Sequence, residues 1–112
     1  MNPIIKEERV MALKKELDGS VFEHLLNIYA TELQSLILNL ENQLKIQQTQ
    51  DCIRTAHSIK SISANMGAIQ IQVLASEIEK NAREANTNAI SQQLVALKAL
   101  SQGTIIELRK WL

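Results

Sequence analysis

The sequence predicts an all-α fold: an antiparallel up-down-up-down four-helix bundle with a short extra N-terminal helix. Three observations carry this. Apolar residues recur at intervals of three and four along most of the chain, the period of a helix with one buried face. Only 3 Gly and 1 Pro interrupt 112 residues, too few breakers for a fold of many short strands. The stretches between periodic segments are short and polar, which makes consecutive helices antiparallel neighbours.

Pro3 suits the entry to a first helix over residues 5–17, with Val10, Leu13 and Leu17 on its inner side. Asp18-Gly19-Ser20 then ends it. Gly19 is expected in the left-handed conformation, and Ser20, with Glu23 three residues on, has capping-box spacing for the next helix. The second helix, residues 21–45, carries a wide stripe from Phe22 through Tyr29, Leu33 and Ile37 to Leu44, with fraying expected near Gln43. Thr49 is the expected cap of a third helix over 50–66, which Gly67 breaks. A fourth helix follows over 68–85, with Ile71, Leu74, Ala75, Ile78 and Ala82 inward. Asn86-Thr87-Asn88 supplies a cap, and a last helix runs over 89–111 with Ile90, Leu94, Leu97, Leu108 and Trp111 inward. Gly103 within it marks either a bend or a close approach to a neighbour.

Composition narrows the function. At 112 residues the chain makes one domain, 1–112, with one core. Its 12 basic and 12 acidic side chains cancel, so nucleic acid and anionic membrane are not expected partners. No apolar run approaches the roughly 20 residues that span a bilayer, and the N-terminus lacks a basic region followed by an apolar one. A cytoplasmic location fits, and the opening Met1 favours a free-standing protein. Two His, one Cys and no Glu-x-x-His pair give no metal site. Cys52 reads as a small buried residue, and no Gly-rich phosphate loop supports nucleotide binding.

Residues 57–68, His-Ser-Ile-Lys-Ser-Ile-Ser-Ala-Asn-Met-Gly-Ala, organise the rest. Cys52, Ala56, Ile59, Ser63 and Met66 follow one another at four, three, four and three, forming the inner face of the third helix. His57, about 100° round from Ala56, leaves that face for solvent. Lys60 and Ser61 lie at +3 and +4, beside it. The result is an exposed imidazole with an ammonium one turn away, an arrangement able to accept a phosphoryl group. A free imidazole titrates near 6.5, so such a ring is mostly neutral and nucleophilic at about pH 7. His24 has no such neighbours and reads as a surface histidine.

The run Ala56, His57, Ile59, Lys60, Ser63, Gly67 and Ala68, with Leu74, Ile78, Glu79 and Arg83 downstream, resembles the signature of the histidine phosphotransfer (HPt) domains of bacterial multistep phosphorelays. Ser61 stands where most members have glycine, as in the free-standing phosphotransfer proteins of quorum-sensing relays. It should hinder a partner's approach only slightly.

The resemblance implies that His57 takes a phosphoryl group from one receiver aspartate and passes it to another, without kinase activity of its own. The receivers would belong to a hybrid sensor kinase and a response regulator, and the carrier would be a monomer. Lys60 would offset phosphoryl charge. Glu79, at the position of the family's hydrogen-bonding Glu or Gln, either orients the imidazole or simply pairs with Arg83 at i+4 on the surface. Arg54, Ser58, Ser61, Ala64 and Gly67 form the expected docking face, Arg54 having an ordinary surface role as its alternative. No cofactor is implied, because any Mg²⁺ belongs to the receiver's acidic cluster. Two other readings remain at this point. The phosphoacceptor and dimerisation domain of a histidine kinase would carry an acidic residue after the histidine, where this chain has Ser58. A helical adaptor would make His57 incidental.

Overall fold

A computed structural model describes residues 2–112; Met1, on which the free-standing expectation rests, lies outside them. Five helices account for most of the described chain: α1 (Glu7–Glu16), α2 (Gly19–Lys45), α3 (Thr49–Met66), α4 (Ile69–Arg83) and α5 (Thr87–Arg109). The long helices α2 to α5 form a ring in which each packs on the next and α5 returns to α2. At 1.5 Å per residue the 27 residues of α2 span about 40 Å, close to the 42 Å long dimension of the molecule. The core is aliphatic: Leu26, Leu33, Leu40, Ile59, Ile71, Ile78, Ile90, Leu97 and Leu108 are fully buried around the single Phe22. Leu74 and Trp111, expected inward, are only partly buried.

The start of α2 departs from its predicted chemistry. Its N-cap is Asp18, whose carboxylate accepts from Val21 N–H at 3.0 Å and from Ser20 Oγ–H at 2.7 Å. Those two bonds, the backbone one first, hold its carboxyl below the usual carboxylate value. Gly19 and Ser20 are therefore the first residues of α2, and α1 ends on the extended Leu17 without a left-handed residue. A carboxylate is the stronger acceptor for the free N–H groups of a first turn, which explains why Asp18 takes the cap. The far end of α2 does not fray at Gln43, because Gln43 Oε1 accepts from Thr55 Oγ–H on α3 at 2.7 Å.

The junction between α2 and α3 also differs from expectation. Thr49 is the first residue of α3 and caps nothing; Gln48 precedes it without a side-chain bond. The turn is instead reversed by Gln47 at φ 57°, as that after α4 is by Ala85 at φ 54°. Asn86 does cap α5, accepting from Ala89 N–H at 3.4 Å. Around Gly103 an added Cβ would meet nothing within 4 Å, so no neighbour requires that glycine.

Gly67 ends α3 as predicted, at φ 75°, with Ala68 N–H returning to Ser63 O at 2.9 Å. The N-terminal segment lies across this junction. Lys6 N–H donates to Gly67 O at 2.6 Å, Arg9 Nε–H donates to Asn65 O at 2.9 Å, and Ile5, Val10 and Leu13 are buried beneath. No helix among the described residues is long and apolar enough to cross a membrane.

Candidate functional site

The third helix is held in one rotational setting. Cys52, Ala56, Ile59 and Ser63 are fully buried, as their spacing predicts. Tyr29 OH on α2 and Ser63 Oγ share a buried hydrogen bond of 2.8 Å, a polar pin between the two helices that periodicity does not reveal. Burial pushes the Tyr29 phenol up to about 12 in spite of that bond. With the inner face pinned, His57 is directed outward, and its side chain is 58% exposed.

The neighbouring helix reaches the same imidazole. Glu79 on α4 is buried, its side chain only 10% exposed, and its Oε1 lies 3.3 Å from His57 Nδ1. The same oxygen lies 3.3 Å from Lys60 Nζ, and Oε2 accepts from Arg83 at 2.8 Å. The Arg83 hydrogen bond is the main cause that holds the Glu79 carboxyl at about 2 rather than 4.5; burial opposes it, and the bonds from His57 and Lys60 reinforce it. Glu79 is thus ionised. An ionised carboxylate can only accept, so the hydrogen between Glu79 and His57 belongs to Nδ1. In the neutral ring the lone pair is then on Nε2, on the exposed side chain.

Glu79 touches the imidazole and also pairs with Arg83, and it does so from the interior rather than from the surface. Lys60 is not a free ammonium beside the ring: it is one-third exposed and lies on Glu79. Arg83 therefore joins the site, which its i+4 spacing from Glu79 hinted at without indicating His57.

Of the docking residues expected from the sequence, Arg54, Ser58 and Ser61 are exposed and Ala64 is half-buried. Arg54 pairs with Asp51 on its own helix. Gly67, expected on the docking face, is instead buried under Lys6, Arg9 and Val10 at the α3–α4 junction. His24 is exposed on α2. No group of three or more His, Cys, Asp or Glu among the described residues could hold a metal ion, and Cys52 is buried. A broad apolar groove, lined by Leu33, Ile37, Leu38, Ile105 and Ile106, lies between α2 and α5 rather than at His57.

A helical bundle with an outward imidazole bonded to a buried carboxylate is an arrangement that a carrier of phosphoryl groups can use. The sequence matches the Hpt domain family over residues 24–111, and the chain belongs to that family. Proteins of this family are relay carriers, not kinases, they interact with receiver domains, and the role of this chain is that of a phosphorelay intermediate. The structure is similar to that of histidine-containing phosphotransfer protein B from Pseudomonas aeruginosa PAO1, with a TM-score of 0.92 over 98% of this chain and 95% of that one. The two sequences are 20% identical, and the likeness is one of fold. No curated relative matches the chain by sequence.

Proposed function

We propose that His57 is the phosphoacceptor: Nε2 takes a phosphoryl group from a receiver aspartate and gives it to the aspartate of a second receiver. The observation that carries this reading is the exposed ring whose Nδ1 is bonded to buried Glu79. In the forward step the Nε2 lone pair forms the N–P bond while the P–O bond to aspartate breaks, and the electron pair leaves with the aspartate carboxylate. Nδ1 keeps its hydrogen throughout.

Lys60, one helical turn from His57, would leave Glu79 for the incoming phosphoryl oxygens. Arg54, Ser58, Ser61 and Ala64 surround His57 on α3 and form the docking face, where small side chains let a receiver approach. Any Mg²⁺ resides in the receiver's acidic cluster. The working unit is residues 1–112 as one domain, a cytoplasmic monomer built as an up-down-up-down four-helix bundle under a short first helix, with no kinase activity. The receivers belong to a hybrid sensor kinase and a response regulator. Short connectors and the closed ring of packed helices support that arrangement.

The test is phosphoryl transfer from receivers charged with a small phosphodonor. Wild type should acquire acid-labile, alkali-stable label that His57→Gln does not. Equal labelling of both, or none on wild type across several receivers, would overturn the assignment.

A further inference from the structure

The carboxylate of Glu79 divides its two oxygens among three donors. Oε2 accepts from Arg83 at 2.8 Å, while Oε1 lies 3.3 Å from both His57 Nδ1 and Lys60 Nζ. The shortest contact of the three is made by Arg83, on the oxygen that is not bonded to the imidazole. The Arg83 side chain is 62% exposed, yet its guanidinium ends on a carboxylate that is 10% exposed. An ordinary i,i+4 pair on a helix surface has both members in water and is worth little. Here one member is interior and also touches the imidazole.

Resting on the assignment of His57 as phosphoacceptor, we propose that Arg83 is a positioning residue: by holding Oε2 of Glu79 it presents Oε1 to Nδ1–H of His57, and so keeps the Nε2 lone pair free for phosphoryl transfer.

Two physical requirements support this. Without a hold on Oε2 the carboxylate can turn about its terminal torsion, which has a broad energy well. Lys60 carries three N–H donors and a full charge, and would then draw both oxygens away from Nδ1–H. A planar guanidinium on Oε2 keeps the carboxylate in one orientation. The second requirement arises during transfer. As Nε2 bonds to phosphorus the ring gains positive charge while retaining its hydrogen on Nδ1, so Glu79 must stay ionised and near. At that moment the phosphoryl oxygens compete with Glu79 for Lys60. Arg83, bonded to the other oxygen, remains and leaves the buried carboxylate with a cation in both states. Arg83 is also the leading cause of the low Glu79 acidity constant, which agrees with this division.

The experiment reads the ring directly. Nitrogen-15 NMR of the His57 imidazole at about pH 8.5, above the titration range of a free imidazole, distinguishes Nδ1–H from Nε2–H. It would be recorded on wild type, Arg83→Met, Arg83→Lys and Arg83→Gln, alongside phosphoryl uptake from a charged receiver. Wild type should be nearly all Nδ1–H. Arg83→Met, which keeps the stem and removes the cation, should show mixed tautomers and uptake slower by on the order of tenfold. Arg83→Gln should behave similarly, and Arg83→Lys should recover most of both. A wild-type tautomer balance in Arg83→Met and Arg83→Gln overturns the proposal whatever happens to uptake, because slower uptake alone would place Arg83 in receiver docking. A wild-type protein that takes no label overturns the assignment of His57 instead, and the tautomer measurement still judges Arg83.

Discussion

Glu79 Oε1 lies 3.3 Å from His57 Nδ1, so a carboxylate buried on α4 is bonded to an imidazole that α3 holds in solvent. The pairing separates the two nitrogens of one ring. Nδ1 faces the protein and donates to the carboxylate; Nε2 has no hydrogen-bond partner among the described residues. For the phosphoacceptor proposed above, a bond from a neighbouring helix would limit wrong orientations of the ring without covering Nε2.

Removing the acceptor should slow the chemistry more than it harms the fold. Glu79→Ala is expected to lower the rate of phosphoryl uptake by on the order of 10–100-fold. Glu79→Gln, which retains a carbonyl acceptor, should lose less. Uptake time courses at saturating charged receiver would measure both.

Acid should act on this same group. The Glu79 carboxyl titrates at about 2 in the fold against 4.5 unfolded, so the folded state binds its proton more weakly. The stability it contributes is fully present above about pH 5 and is lost progressively as pH falls toward 2. Denaturant midpoints measured from about pH 6 to pH 3 should fall less steeply in Glu79→Gln than in wild type.

Gly67→Ala should destabilise the protein by about 1–3 kcal/mol, since φ 75° is costly for alanine and the new methyl group would press on Lys6 O at 3.1 Å. Thermal or denaturant unfolding would show it. Uptake by the folded fraction should be unchanged, because Gly67 lies beneath α1 and away from the ring.

Gly103→Ala should do the reverse. The site is helical and open, and alanine is the better helix former by about 0.5–1 kcal/mol, so the unfolding midpoint should rise. A fall would mean that the glycine serves a bend or a close approach, the two readings that the sequence offered.

Much of the bundle was readable along the chain. The intervals joining Cys52, Ala56, Ile59, Ser63 and Met66 identify the inner face of α3, and with it the outward direction of His57. Helix rotation is a local property, so residues a few positions apart suffice to define it. The left-handed break at Gly67 and the Asn86 cap are local in the same sense. Cap selection was less legible at the start of α2, where Asp18, Gly19 and Ser20 all have capping chemistry and the stronger acceptor prevailed.

Partnerships across the molecule were not written in any interval. That Glu79 is interior, that Lys60 rests on it rather than standing free, and that Tyr29 pins Ser63 all depend on how two helices distant in the chain are set against each other. Spacing conveys the direction of each side chain about its own axis, but says nothing of which neighbour it meets. That follows from packing, where burial of the aliphatic stripes brings α4 against α3 and places one ionised oxygen under one nitrogen of the imidazole.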